Sequence, residues 1–457
     1  MANSTEIELP FVIIDGVFFQ LSQTTGIARV WQALLSEWSK TEFAKNILVL
    51  DRDGTAPKLP GLRYRTIPRH GSIGYHEPVL LNSYGNGGED AEFLQRICDE
   101  ESADLFISTY YTTPISTPSI FIGHDMIPEM LGMDLSAPVW REKRTSILYA
   151  SHYITVSVNT ANDLVKVFPF IEPNQVTVIP NGLEPIFSSA CLGEIEQFRS
   201  KFNIDKPYIL LVGSRLGTGG YKNSQLLFEA LNQTTLKQNL AVVCVGGQPQ
   251  LEKELEDLAS EIMVYVLALT DLELKAAYSG AVCLVYPSRY EGFGLPILEA
   301  MACGCPVITC RNSSIPEVAG DAAIYVSPDN PQELATALDT VQELSIREEL
   351  RVRGFAQARN FSWAKMSEET AKVIIQVGKE NKERKLRQRD LVWLEFRRLQ
   401  QCQKLRTEEL QTTQAQLQAS QAELQTTQAE VEAMRASKFW KMRQLWVGAK
   451  SYMGLDS

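Results

Sequence analysis

The chain has 457 residues, 44% hydrophobic and 22% charged, with a formal net charge of −11. That length exceeds one ordinary core and suits two domains plus an added element, while the composition excludes a disordered or fibrous class. The charge is uneven: residues 1–378 are acidic at about −16 and the tail is basic, which argues against nucleic acid as the main partner.

The N-terminus, MANSTEIELPFVIIDG, lacks a basic leader region, and no run of about 18 uncharged apolar residues occurs, so a cytoplasmic protein is expected. Apolar runs rich in Val and Ile, each followed by a turn and a helical pattern, start with PFVIIDGVFF and continue through NILVL, DLFISTYY, SIFIGHD, YITVS and VTVIP. After NGLEPIF a second series begins: YILLVGS, LAVVCVG, MVYVLA, VCLVYPS, PVITC and AIYVS. Continuous apolar strands alternating with helices mean parallel sheets covered on both faces. The sequence therefore predicts an α/β protein with two doubly wound, Rossmann-like domains, 1–185 and 186–378, hinged near Gly182 to Phe202.

Beyond Gly378 neither Gly nor Pro occurs until Gly448, and Leu410, Leu417, Leu424 and Val431 recur every seven residues. Residues 379–457 read as a helical tail: a coiled coil weakened by Thr and Gln at its companion core positions, or a single exposed helix. Its last stretch, RASKFWKMRQLWVGAK, joins Phe439, Trp440, Leu445 and Trp446 to five bases and no acid. That pattern suits an amphipathic helix on anionic lipid, or one that packs its aromatics on a partner. The eight cysteines form no C-x-x-C pair and read as reduced thiols buried in strands rather than zinc ligands.

The stretch most informative about chemistry is SRYEGFGLPILEAMACGCPVITC, where Glu291 and Glu299 stand eight residues apart around Gly292, Gly294 and Pro296. It reads as a loop and helix start after a strand, where open parallel sheets bind ligands. The glycines let backbone amides approach a ligand, Pro296 suits a first helical turn, and a helix N-terminus binds phosphate. Carboxylates repel phosphate but accept from hydroxyls, so Glu299 suits a ribose diol and Glu291 another polyol. On spacing alone, two acids at a helix start are as well explained by the helix dipole.

As a whole, EGFGLPILE with the following AMACGCPVI resembles the E-x(7)-E signature of the retaining glycosyltransferases of family 4. The resemblance covers residues 10–378 and implies the GT-B fold: an acceptor-side domain, a nucleotide-sugar domain, and a final helix at 362–377 crossing back. It implies that Glu291 contacts the donor sugar, that Glu299 binds the ribose, and that the backbone at Phe293, Gly294 and Leu295 holds sugar and phosphates. In YILLVGSRLGTGGYKNSQLL, Tyr221 rather than Gly precedes Lys222, which excludes an ATP-binding phosphate loop. The stretch looks like the family's Arg-Lys-Asn segment, with Lys222 neutralising the departing diphosphate. Tyr221 stands where arginine is usual, the Gly217 to Gly220 loop is expanded, and Arg215 is either a second cation or a surface arginine. His124 in SIFIGHDMIPEM resembles the histidine that faces the donor sugar, with Asp125 fixing local structure. Gly26 resembles the glycine that approaches the diphosphate from the opposite domain, whereas Ser157, Asn181 and Gly182 read as turns and domain joints.

The resemblance implies no metal and no cofactor, a GDP- or UDP-sugar donor, and a glycan or lipid-linked acceptor in surface polysaccharide synthesis, with mannose the favoured sugar. Asp51 and Asp53 in LDRDG also form the metal-binding D-x-D of the other large glycosyltransferase fold, but that fold has one sheet domain where this chain has two. A catalytically inactive coiled-coil scaffold, and a glycoside hydrolase using the two glutamates, compete with the transferase as functions for the chain. The tail adds possible partners, a second copy or an anionic membrane surface, the latter placing the protein peripherally on the inner face.

Overall fold

A computed structural model describes residues 9–71, 89–216, 220–383 and 387–453. The first sheet is formed by β1 (Val12–Asp15), β2 (Ile47–Arg52), β3 (Arg63–Ile67), β4 (Leu105–Ser108), β5 (Ser119–Gly123), β6 (Ala150–Thr155) and β7 (Val176–Val178), in the order β3-β2-β1-β4-β5-β6-β7. The second is formed by β8 (Tyr208–Val212), β9 (Ala241–Val245), β10 (Met263–Leu267), β11 (Cys283–Tyr286), β12 (Val307–Cys310) and β13 (Ala323–Val326), in the order β10-β9-β8-β11-β12-β13. All pairings are parallel, and the strand order reverses between β1 and β4 and again between β8 and β11. The helices that position the site are α1 (Gly26–Ser39), α2 (Val158–Val167), α3 (Asp271–Gly280) and α4 (Leu295–Ala302), followed by α5 (Trp363–Glu383), α6 (Arg387–Ala436) and α7 (Lys438–Tyr452).

Both sheets are covered on two faces, which explains the unbroken apolar runs. In β1, Val12 and Ile14 face the core beneath α1, while Ile13 joins Leu48, Leu50 and Phe106 on the other side. In β8, Leu210 and Ile209 divide between two cores in the same way. Six of the seven strands of the first sheet match the predicted runs. β3 was missed because its sequence, RYRTI, is the polar edge of the sheet. The predicted strand PFVIIDGVFF is shorter than its apolar run: Val17–Gln20 is a 3₁₀ turn.

The chain passes into the second domain between Ile179 and Phe187, which belong to different cores. It returns in α5, whose Trp363, Met366, Ile374 and Val377 complete the first domain's core. The Trp38 indole donates to the Ser367 carbonyl at 3.0 Å, pinning α1 to α5. The outward and return crossings touch at Gly182, where a Cβ would stand 2.2 Å from the Trp363 nitrogen.

The chain divides into two compact units, and the second begins at Arg387, eight residues beyond the predicted start of the tail. α6 is a continuous helix of 50 residues, about 75 Å long, on which Leu410, Leu417, Leu424 and Val431 are all exposed. It ends without Gly or Pro: the Ser437 side chain accepts from the Trp440 amide at 3.2 Å and starts α7 afresh. Six of the cysteines are buried and free, Cys191 is exposed and free, and Cys402 lies outside the residues whose side chains are described.

Because the atoms facing Gly182 are backbone and cannot swing aside, Gly182→Ala should destabilise the two-domain body by about 1–3 kcal/mol. Gly193→Ala, in a helix with nothing nearer than 4.0 Å, should leave the thermal midpoint unchanged or slightly raised. Scanning calorimetry of the two variants checks the contrast.

Candidate active site

The site forms where the second sheet reverses order, at the carboxyl ends of β8 and β11, the position at which open sheets bind ligands. Gly294, at φ +116°, turns the chain into α4 in a conformation that favours glycine, and Leu295 and Pro296 form the first turn. The loop before it is clamped. The Glu291 amide donates to Ser313 Oγ at 2.9 Å, and the Ser314 hydroxyl donates to the carbonyls of Glu291 and Phe293 at 2.9 and 3.0 Å. The Phe293 side chain is buried edge-on against Phe361.

Lys222 Nζ lies 2.7 Å from Glu291 Oε1 and 3.3 Å from the Tyr286 hydroxyl, over the rings of Tyr286 and Tyr221. Burial opposes its charge, but Glu291 and the two tyrosines more than offset this and hold the ammonium well above its usual pKa. Tyr221, standing where an arginine was expected, thus supplies a ring to the lysine. Asn223, at φ +55°, donates to the carbonyls of Pro287 and Pro328, fixing the lysine's loop against β11 and the end of β13.

Glu299 lies in α4, nearly fully buried. The Tyr278 hydroxyl donates to its Oε2 at 2.9 Å, and Arg29 Nη1 lies 3.4 Å from its Oε1. Burial raises the Glu299 pKa to about 7, partly countered by Arg29 and Tyr278. Arg29 belongs to α1 of the first domain and also pairs with Asp271. Arg29 was not foreseen, although it stands three residues after Gly26 and hence on the same helical face. Gly26 itself faces Leu295 across the cleft, with a Cβ position 3.6 Å from Leu295 Cδ1.

His124 follows β5 at the ligand edge of the first sheet. Burial pulls its pKa down to about 4, so the imidazole is neutral near pH 7. Asp125 accepts from the Ile127 amide at 3.1 Å, the local structural role expected of it. Gly292 lies against the His124 backbone so closely that a Cβ would stand 1.9 Å from the His124 carbonyl oxygen. The Gly292 carbonyl in turn accepts from Ser157 Oγ at 2.8 Å and Thr160 Oγ1 at 3.3 Å. Glu317 of the second domain accepts from the amides of Val158 and Asn159 at 2.7 and 2.8 Å, capping α2 of the first. Ser157 is therefore a domain joint, as expected; Glu317 and Thr160 were not foreseen.

Arg215 is not a surface arginine: it is 1% exposed, paired with Glu252, and donates to the carbonyls of Gly246, Gln248 and Gln250 at 2.6–2.8 Å. With its guanidinium spent on that loop, Lys222 is the cation beside Glu291; residues 217–219 of the expanded loop lie outside the described residues. The D-x-D pair, weighed only as an alternative, is engaged in a turn. Asp51 accepts from the Ala56 amide and pairs with Lys58, while Asp53 takes φ +57°. Among the described residues no group of three His, Cys, Asp or Glu could hold a metal ion.

Two protein-family models match the chain: Glycosyltransferase Family 4 over residues 24–186 and Glycosyl transferases group 1 over 206–343. The O-antigen chain mannosyltransferase B of Escherichia coli is 45% identical over 107 residues, 23% of this chain and 28% of that protein. The O-antigen chain mannosyltransferase RfbU of Salmonella typhimurium is 26% identical over 247 residues, 52% of this chain and 65% of that one. This chain thus spans less than two thirds of either relative. The sucrose-phosphate synthase structure from Thermosynechococcus elongatus superposes with a TM-score of 0.63 at 18% identity, covering 80% of this chain and 98% of that one. At that identity the likeness speaks for the fold alone.

Gly292→Ala should force His124 and Glu291 apart while leaving each domain's own core intact. Small-angle scattering should then report a larger radius of gyration, with near-wild-type circular dichroism; an unchanged radius would remove the contact from the account of closure.

Proposed function

Since the chain belongs to the glycosyltransferases of family 4, each of its sheet domains matched by one of the family's models, we propose that it transfers a hexose from a nucleoside diphosphate sugar to a glycan or lipid-linked acceptor. The observation that carries this is the Lys222–Glu291 pair beside the N-terminus of α4, flanked by buried Glu299. A cation and a helix N-terminus suit a diphosphate, and the two carboxylates suit the polyols on either side of it. Mannose is the first donor sugar to try, because two relatives are named as O-antigen chain mannosyltransferases.

In this mechanism the diphosphate draws Lys222 away from Glu291, which turns to the donor sugar. The acceptor oxygen attacks the anomeric carbon from the face the nucleotide leaves. The bond from carbon to phosphate oxygen breaks, and that oxygen takes the acceptor's proton, so configuration is retained. Lys222 stabilises the charge growing on the leaving diphosphate, without need of a metal. Neutral His124 offers a hydrogen bond to the sugar from the opposite domain.

Thermal-shift screening against GDP, UDP, ADP and their hexose conjugates should single out one nucleotide. With that donor, Lys222→Ala and Glu291→Ala should each lower turnover about 100- to 1000-fold. Normal turnover in both, or no shift from any nucleotide, removes the proposal in favour of a scaffold.

The tail is proposed to work in the cytoplasm at the inner membrane face. No helix among the described residues is long and apolar enough to cross a membrane. On α7, Phe439, Leu445 and Trp446 are exposed among bases, the chemistry that binds anionic lipid; on α6 the seven-residue Leu face suits a second copy. Full-length protein should float with vesicles rich in phosphatidylglycerol, and Phe439→Ser with Trp446→Ser should abolish this; flotation unchanged by the pair removes the lipid role.

A further inference from the structure

The carboxylate placed to receive the ribose is not served by its own domain alone. Glu299 is on α4 of the second domain, but the cation that faces it, Arg29, is on α1 of the first. Arg29 is held in place from three sides: its guanidinium pairs with Asp271 at the start of α3, lies 3.4 Å from Glu299, and sits 5.8 Å from the ring centre of Phe187. Glu299 is only 7% exposed, in a setting otherwise unfavourable to negative charge. The groups that face it are Arg29 from α1, Tyr278 and Asp271 from α3, Glu184 from the interdomain connection, and Cys303 just beyond α4. Asp271 and Glu184 act against its ionisation; Arg29 supports it by charge and Tyr278 by a hydrogen bond.

We propose that Arg29 is a positioning residue for the ribose-binding carboxylate, lent by one domain to the other, which aims Glu299 so that donor affinity is set jointly by both domains. This rests on the reading of Glu299 as a nucleotide ligand. An ionised carboxylate accepts from both hydroxyls of a vicinal diol, whereas a protonated one must use an oxygen as donor and loses one charge-assisted bond. While the domains are together, Arg29 favours the accepting form and partly offsets the burial that opposes it. When they part, Arg29 leaves with the first domain, Glu299 loses the cation that aims it, and the nucleotide loses part of its hold. The opening of the cleft thus weakens the grip on the spent nucleoside diphosphate.

The sign of the pH effect follows. Glu299 ionises as pH rises through a value already raised to about 7, and loss of the arginine's charge moves that rise to still higher pH. Calorimetric titration with GDP-mannose and UDP-glucose, whose diphosphate diesters do not titrate between about pH 6 and 8.5, separates this from a structural effect. Wild-type affinity should fall as pH is lowered through neutrality. Arg29→Gln should shift the midpoint of that fall upward, so that near neutrality it binds about tenfold more weakly than wild type, with affinity recovering toward pH 8.5. Arg29→Lys, which keeps the charge, should restore the wild-type profile, and Glu299→Gln should bind weakly at every pH. A profile for Arg29→Gln parallel to wild type, or a uniform loss across the range, overturns the inference while leaving the pocket standing. If neither donor binds the wild type, or Glu299→Gln binds like wild type, the reading of the pocket fails, and the inference with it.

Discussion

Two domains can share one reaction only if their backbones come close enough for side chains from both to reach the same few atoms. Here the backbones approach where Gly292 lies against the carbonyl of His124 with no room for a side chain. Polar contacts secure that approach: two hydroxyls on the Gly292 carbonyl, and a carboxylate from the second domain on the opening amides of α2. Those amides would otherwise be left to water, so the joint supplies what the helix lacks. Because Gly292 directly follows Glu291 and sits before the turn into α4, fixing this peptide also fixes the residues on both sides of it.

The cleft shows a second regularity. Lys222 is met by Glu291, and Arg29 by Glu299 and Asp271. Buried charges without partners are costly, and these pairings let a polar cleft exist inside a packed protein. They also mean that an anionic, hydroxyl-rich ligand enters by exchange rather than by filling a void: each group it takes over releases a partner. The net gain from each exchange is smaller than the bare attraction would suggest, which favours selectivity over tightness.

Much of this was legible in the sequence. The alternation of apolar runs and helices located both sheets, because strands buried on two faces have no polar side to confuse the pattern. The glycines and acids around the start of α4 marked the ligand edge, because only a few residue types tolerate that geometry. What escaped was of two kinds. β3 has the polar face of an edge strand, and its Arg residues hide its regularity. Arg29 and Glu317 meet partners more than a hundred residues away, and Thr160 adds such a contact to its local bond with Ser157, so spacing alone did not single them out. Arg215 shows the converse, since a cation next to a glycine-rich loop looked available and proved to be spent on the chain's own carbonyls.

The return of α5 to the first domain has a consequence for how the molecule is made. Trp363, Met366, Ile374 and Val377 belong to the same core as Val12, Trp31 and Trp38. A ribosome releases those early residues long before the late ones exist, so the nascent first domain emerges with an apolar face awaiting its cover. The intervening domain, by contrast, draws its strands from one continuous stretch and can settle as it emerges. The first part to be synthesised is therefore the last to be completed, and during that interval the growing chain exposes the surface most in need of protection.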